Sequence, residues 1–536
     1  MKNQQVTQLA PGSVTVGAGE QTGEIREAAR GGAISILGAG TSAVMGFVLT
    51  LVLARSFGAE GSGVVLQAIA VFSIVLSLAR TGMDTAGIWI LPRLALADPE
   101  KIRGAVVAML LPTAVVGTAG GLFMGLVLPH LGIFAGPEES QVTSAIALVS
   151  WFLPCGAVMM VALAATRGLG NVVPYTVVGA IAVPLSRPVA VLAVASLGGA
   201  AAAAAMAWAL PMAAAMVAAL VALWIRIREH ERRAGVRGAL VPDRAVHGRI
   251  WKFALPRWFS SGIEASIVWF DVILVGSIAG AGAAGVYGAA SRFVTAGLII
   301  STAMRMVISP RFSALLSENR LAAVQKLYAT TVTWIVLLGA PIYGLFMFFA
   351  PTILGFLGDD FERGSMALII LCLGAICSLL AGNVDSVLMM SGRSGWMLAN
   401  KSMVLAINVI GNIIFVPRFG ISGAAVVWAV SMAVDAALAS IETRIFIGVR
   451  FEAGRVFYAL LVAAASVVPA SVGALLLMGN SAKAAVVAGI VTMLVLGLWC
   501  LLDRRRLGFN EIVMVPRGKV ARAAKSTDVK NDQVPR

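Results

Sequence analysis

Of 536 residues, 59% are hydrophobic and only 12% are charged, with a formal net charge of +15. A soluble domain carries about 25% charged residues, so the composition excludes a soluble enzyme and points to a polytopic membrane protein. The excess of Lys and Arg does not indicate a nucleic-acid partner, because the basic residues fall between the apolar runs, where they set orientation in a bilayer.

Residues 1–30 are polar and read as a short disordered cytoplasmic tail without a cleavable signal. About fourteen apolar runs long enough to cross a membrane follow, at 32–54, 64–91, 104–128, 142–166, 172–196, 200–225, 253–278, 284–309, 327–350, 365–391, 396–416, 421–443, 456–478 and 484–502. Runs well above about 20 residues predict tilted or bent helices. Pro184 and Pro188, on either side of Arg187, predict a kink in the fifth. The even-numbered connections and the carboxyl tail hold most of the loop arginines, among them Arg226, Arg228, Arg232, Arg233, Arg237, Arg244 and Arg249. The other connections offer only Arg55, Arg363, Arg418 and Lys483. This asymmetry predicts that both termini are cytoplasmic.

The chain also repeats itself. Gly58-Ala59 and Gly63-Val64 recur as Gly280-Ala281 and Gly285-Val286, Gly170 recurs as Gly392, and Gly198 recurs as Gly420. The offset is 222 residues each time. Six spans separate the copies, an even number, so the two halves share one orientation, as in a parallel repeat about an axis along the membrane normal. The expected organisation is a tail at 1–30, an N-lobe of six spans at 31–226, and a basic cytoplasmic linker at 227–252. A C-lobe of six spans at 253–447, two extra helices at 448–503 and a basic cytoplasmic tail at 504–536 complete it.

Charges inside the spans are the candidate functional groups. A charged side chain at the bilayer centre costs about 2.5–3.5 kcal/mol on insertion scales. Arg257, Glu264 and Asp271 lie seven residues apart on the seventh run. They share one helical face with rungs about 10 Å apart. That face looks into a polar cleft or is stapled to charges on neighbouring helices. Arg80 and Asp84, at i and i+4, either neutralise each other or serve the cleft. Arg187 and Arg292 are isolated arginines suited to an anionic partner such as a phosphate. Lys401, Asn408 and Asn412 share a face, with Asn383, Asp385 and Asp435 on nearby spans. Such asparagines more often stitch helices together than bind ligands. Glu264, Asp271 and Asp435 are candidates for carrying a coupling proton or Na⁺. No cofactor or metal motif is present: the cysteines lie singly in apolar runs and the histidines in loops. Gly280 to Gly285 matches GxGxxG, but it follows a long span rather than a short strand and is a tight turn.

The segments Ala54 to Gly63, Gly280 to Tyr287 and, above all, Val416-Pro417-Arg418-Phe419-Gly420-Ile421-Ser422-Gly423-Ala424-Ala425 resemble the multidrug/oligosaccharidyl-lipid/polysaccharide (MOP) exporter superfamily. The last resembles its polysaccharide branch, the Wzx-type flippases. The resemblance covers roughly residues 30–500. It implies two six-helix lobes arranged as a V, with spans one, two, seven and eight lining a central cavity. It also implies alternating access that carries undecaprenyl-diphosphate-linked oligosaccharides across a bacterial inner membrane, with polysaccharide polymerase or assembly proteins as partners. By position, Arg80, Arg257 and Arg292 match cavity arginines of such flippases, joined here by Arg187 and Lys401. The acids Asp84, Glu264, Asp271, Asp385 and Asp435 balance these cations, which departs from a purely cationic cavity. A lipid II flippase or a cation-coupled multidrug antiporter of the same superfamily is the alternative. An enzyme is not expected, since every outer connection is short.

Overall fold

A computed structural model describes residues 18–134 and 137–503. The termini at 1–17 and 504–536, which include the expected basic carboxyl tail, lie outside the described residues. The described residues are helical throughout, with no β-strand among them.

In the first half, α1 (Ala18–Ala79) turns sharply at Gly58 and so supplies two arms. Its start lies within the expected amino-terminal tail. There follow α2 (Met83–Ala97), α3 (Ile102–Leu122), α4 (Glu139–Ser150), α5 (Leu153–Gly168), α6 (Val183–Ser196), α7 (Ala201–Ala209) and α8 (Pro211–Ala234). The second half holds α9 (Arg244–Ala279), α10 (Ala281–Gly297), α11 (Ile299–Ser317), α12 (Leu321–Phe348), α13 (Ala350–Gly355), α14 (Ser365–Ala381) and α15 (Val384–Met390). It ends with α16 (Ser394–Ile447), which turns at Gly420 as α1 does at Gly58, and with α17 (Ala453–Met478) and α18 (Ala482–Leu502).

Eleven stretches are long and apolar enough to cross a membrane, and α4 with α5 forms one further bent span. Two of the eleven, Leu37–Ala97 and Gly395–Ile447, contain the turns at Gly58 and Gly420 and are long enough to cross twice. Divided there, the set is consistent with the fourteen spans expected. The fifth run is rewound ahead of its prolines: its first part, Tyr175–Ala182, is π-helical and runs into α6. Such local rewinding is one of the standard causes of a bend.

The 222-residue repeat is visible in the backbone. Gly58 and Gly280 have φ of 65° and 90°, Gly170 and Gly392 of 82° and 81°, and Gly198 and Gly420 of 72° and 56°. Each pair takes a conformation that residues with a Cβ rarely adopt. The same small residues recur because the same turns recur.

The lobes meet through the second arm of α1 and the hairpin of α9 and α10. A Cβ built on Gly63 would stand 1.7 Å from the Ala281 carbonyl oxygen, and one on Gly285 would stand 2.0 Å from the Ala59 oxygen. Residues 59 and 63 correspond to 281 and 285 under the repeat, so the contact is reciprocal about the pseudo-two-fold axis. The seam continues down α1 and α9. Gly276 abuts Gln67, the Ser77 hydroxyl donates to the Ser261 carbonyl at 2.8 Å, and Gly262 abuts Leu78. Gly82, with φ of 71°, sits against the Ala254 carbonyl, where a Cβ would lie 2.4 Å away.

Between the lobes the chain is helical to Ala234 and resumes at Arg244, so only residues 235–243 form an extended connection. Asp243 caps α9, its carboxylate accepting from the Ala245 N–H at 2.7 Å. That bond, aided by Lys101, holds its carboxyl below the usual carboxylate range.

Candidate functional site: the cleft between the lobes

The lobes do not touch everywhere. At the end marked by Gly58 and Gly280 they are joined by the Gly63–Gly285 contact, and Arg55 donates to the Phe356 carbonyl at 2.9 Å across the lobes. At mid-depth Phe47 of α1 meets Phe293 of α10 edge to face, with ring centroids 5.2 Å apart. Below this level α10 gives way to α11 at Leu298, and the two inner walls separate. On α1, Leu37, Ala39, Gly40, Ala43, Val44 and Gly46 are exposed. On α11, Thr302, Ala303, Arg305, Met306 and Val307 are exposed. These stretches of α1 and α11 are thus left uncovered by the rest of either lobe.

Arg257, Glu264 and Asp271 lie on one side of α9, beside its seam with α1, but their surroundings differ. Glu264 is exposed and Arg257 half-buried, and neither forms an ion pair among the described residues. Asp271 is 4% exposed. One carboxylate oxygen accepts from the Tyr287 hydroxyl at 3.1 Å and the other from the Asn412 side-chain amide at 3.1 Å. Asn412 also donates to the Asn408 carbonyl at 2.8 Å. The expected strip of three groups open to one wet wall is thus corrected at its outer rung. Asp271 is withdrawn into the C-lobe, because Tyr287 of α10 and Asn412 of α16 satisfy it there. A buried carboxylate with such partners costs far less than an unpaired one.

The remaining candidates fall into three environments. Arg80 donates from one terminal nitrogen to Asp84 at 2.8 Å and from the other to the Ser77 hydroxyl at 3.0 Å, the same hydroxyl that donates to Ser261 and ties α1 to α9. Among the described residues Arg187 and Arg292 make no ion pair. Their guanidinium carbons lie over Trp208 at 4.1 Å and over Trp269 at 4.2 Å, so each charge is held by an aromatic face. Lys401 bridges Asp385 at 3.3 Å and Asp435, which joins the two arms of α16 to the start of α15. Asn383, beside this pair, donates to the Ser301 carbonyl at 3.4 Å. Two acids on one lysine leave Lys401 no surplus positive charge, whereas among the described residues Arg257 and Arg292 form no ion pair with a carboxylate; Arg305 interacts electrostatically with Asp435.

Sequence reasoning missed Tyr287, Trp208, Trp269 and the buried Asn400–Glu442 bond of 2.8 Å between the arms of α16. Tyr287 was within reach of inspection. Asp271 lies nine residues before Gly280 and Tyr287 seven after it, so a tight turn brings them to similar depth. The tryptophans gave no signal, because a cation–π contact between helices has no sequence spacing.

Two repeated helical lobes in contact at one end, with charged groups on the helices between them, have the organisation of a carrier. Residues 28–316, more than half of the chain, match the family described as polysaccharide biosynthesis protein. The chain belongs to that family. This polysaccharide biosynthesis protein is also 28% identical over 187 residues to the probable low-salt glycan biosynthesis flippase Agl15 of Haloferax volcanii. That match spans 34% of the chain and about two-fifths of Agl15, 39% of its length. Among solved structures it is similar to the lipid II flippase MurJ in an inward closed conformation. The TM-score is 0.68 at 12% identity, covering 87% of this chain and 98% of that one. An inward-facing multidrug resistance MATE family transporter of the MOP superfamily follows at 0.60 and 14% identity, covering 76% of this chain and 94% of that one. A MOP superfamily transporter from Pyrococcus furiosus gives 0.53 and 16%, over 79% and 95%. At these identities the likeness is one of fold. The protein is a multi-pass membrane protein of the polysaccharide biosynthesis family, with the fold of MOP superfamily transporters.

Proposed function

We propose that this protein flips a lipid-linked oligosaccharide, an undecaprenyl-diphosphate carrying a repeat unit for a surface polysaccharide, from the cytoplasmic to the outer leaflet of a bacterial inner membrane. The observation that supports this reading is the charged face of α9 between the lobes, where Arg257 and Glu264 form no ion pair among the described residues, together with the uncovered stretches of α1 and α11. Each hydroxyl or amide taken into hydrocarbon without a partner costs about 2–7 kcal/mol, so sugars and a diphosphate need a polar route while the polyprenyl tail stays in lipid. Arg257 and Arg292 suit the diphosphate, since a guanidinium stays charged and forks onto phosphate, and Arg187, which like Arg292 rests on a tryptophan without an acid partner, is a further candidate; Arg80 and Lys401 are already paired with acids and support the walls. The Asp271 centre, with its carboxylate and two asparagines, offers the oxygen ligands a proton or Na⁺ would use to drive the cycle. Both termini are cytoplasmic, in line with the loop arginines, and polysaccharide polymerase or assembly proteins act on the delivered unit.

The test is a deletion strain, which should accumulate lipid-linked repeat units on the cytoplasmic leaflet, with complementation by the intact gene but not by Arg257→Ala with Arg292→Ala. Full export by the double variant would refute the residue assignment. Accumulated peptidoglycan precursor, or a drug-resistance phenotype without any glycan defect, would instead favour a lipid II flippase or a multidrug antiporter.

A further inference from the structure

At the cytoplasmic ends of α3 and α8, away from the interlobe seam, lies a cavity of about 520 Å³. Small-molecule sites commonly measure about 300–1,000 Å³. Its chemistry is lopsided: Arg103, Arg228, Arg232 and Arg237 face a single acid, Glu231. Glu231 is 6% exposed and already committed. It accepts from Arg103 at 2.6 Å and from the Gly238 N–H at 3.0 Å. The neighbouring Glu229 pairs with Arg226 at 2.6 Å. Among the described residues Arg228, Arg232 and Arg237 have no carboxylate partner. The ring of Trp224 holds the guanidinium of Arg103 at 5.1 Å and that of Arg228 at 4.6 Å. The pocket is thus preorganised for an anion.

The helix that carries it says what kind of anion. Val217, Val221, Trp224, Arg228 and Arg232 follow one another at spacings of four, three, four and four, so they form one face of α8. Val217 and Val221 are 58% and 53% exposed, and Trp224 is 43% exposed. The face runs from an apolar strip through an interfacial tryptophan to arginines, the order of acyl chain, interface and headgroup in a leaflet. The connection between the lobes closes the far wall. Gly238 sits against the Glu100 carbonyl and Gly104 against that of Val241, while Leu240 and Val241 expose 62% and 79% of their surface at the same level.

We propose that this pocket binds the phosphodiester headgroup of an anionic phospholipid of the inner leaflet, held by Arg228, Arg232 and Arg237 with its acyl chains along Val217 and Val221. Basic pockets between helices at the cytoplasmic face recognise such headgroups in general, and each arginine near the surface adds substantially to the attraction. The lipid would rest on the segment that links the lobes, away from the seam between them.

The full-length protein in detergent is titrated with dioleoylphosphatidylglycerol or dioleoylphosphatidylcholine, and bound lipid is counted by native mass spectrometry. The expected result is retention of phosphatidylglycerol at least about 10-fold above phosphatidylcholine, lost in Arg228→Gln/Arg232→Gln/Arg237→Gln. These side chains are exposed, and circular dichroism and size-exclusion profiles check that the variant is folded. Equal retention of the two lipids, or an unchanged preference in the triple variant, overturns the proposal. So does binding of soluble glycerol 3-phosphate as tight as that of phosphatidylglycerol, which would make this a site for a free phosphate.

Discussion

Gly63→Ala places a methyl group where the structure has no room for one. Its Cβ would lie 1.7 Å from the Ala281 oxygen, 2.5 Å from that carbonyl carbon and 2.9 Å from the Gly285 nitrogen. All three are backbone atoms, so no side chain can swing aside. An ordinary contact begins near 3.4 Å, and the two segments must therefore part by about 1.7 Å at this point. Overpacking of this kind costs about 1–3 kcal/mol. Gly63 lies inside a helix, where alanine regains about 1 kcal/mol of propensity. That gain acts whether or not the lobes stay together, while the clash exists only in the state closed at this contact. The closed state should therefore lose about 5- to 150-fold in population relative to open ones. Cross-linking of Glu60→Cys with Gly282→Cys reads this directly, because a Cβ on Gly282 lies 3.4 Å from the Glu60 side chain. Cys155, Cys372, Cys377 and Cys500 are replaced in the background. The rate should fall at least five-fold in Gly63→Ala, and Gly285→Ala should behave alike, as its Cβ would lie 2.0 Å from the Ala59 oxygen. Rates within two-fold of the parent in both variants, with unchanged melting temperature, would refute the reasoning.

Three further predictions concern the C-lobe. Tyr287→Phe leaves one Asp271 oxygen without its donor and should cost about 1–3 kcal/mol in thermal stability. Asp271→Asn should keep the fold but abolish the dependence of transport on a Na⁺ or proton gradient, measured in proteoliposomes; an unchanged dependence would remove Asp271 from the coupling role. Lys401→Met strands Asp385 and Asp435 beside each other and should cost about 3 kcal/mol, seen as a lower melting temperature in detergent. Adding Asp435→Asn should restore part of the loss, and a Lys401→Met protein as stable as the parent would show that the bridge contributes nothing.

The lobes, the spans and the repeat were legible because they rest on periodic or local signals. A run of apolar residues is as long as the bilayer is thick, and a left-handed turn selects glycine in both copies. The surroundings of the charged groups were not legible to the same degree. Arg257, Glu264 and Asp271 share spacing and helix face, yet Asp271 is buried because Tyr287 and Asn412 come to it from other helices. Arg187 and Arg292 look alike as isolated arginines, and only the fold shows that each rests on a tryptophan. Arg80 with Asp84, at i and i+4, was the one pair whose geometry followed from spacing alone.

The reciprocal meeting of Gly63 with Gly285 has an ancestral reading. A patch that fits its own copy rotated by half a turn is what two identical subunits use to form a closed dimer. A six-span subunit bearing Ala59 and Gly63 alone would carry both halves of that match, and could pair with its twin before any connection such as 235–243 existed. Duplication and fusion would then have freed the two copies to diverge, leaving polar groups such as Asp271 and Lys401 in one half while both kept the contact that first joined them.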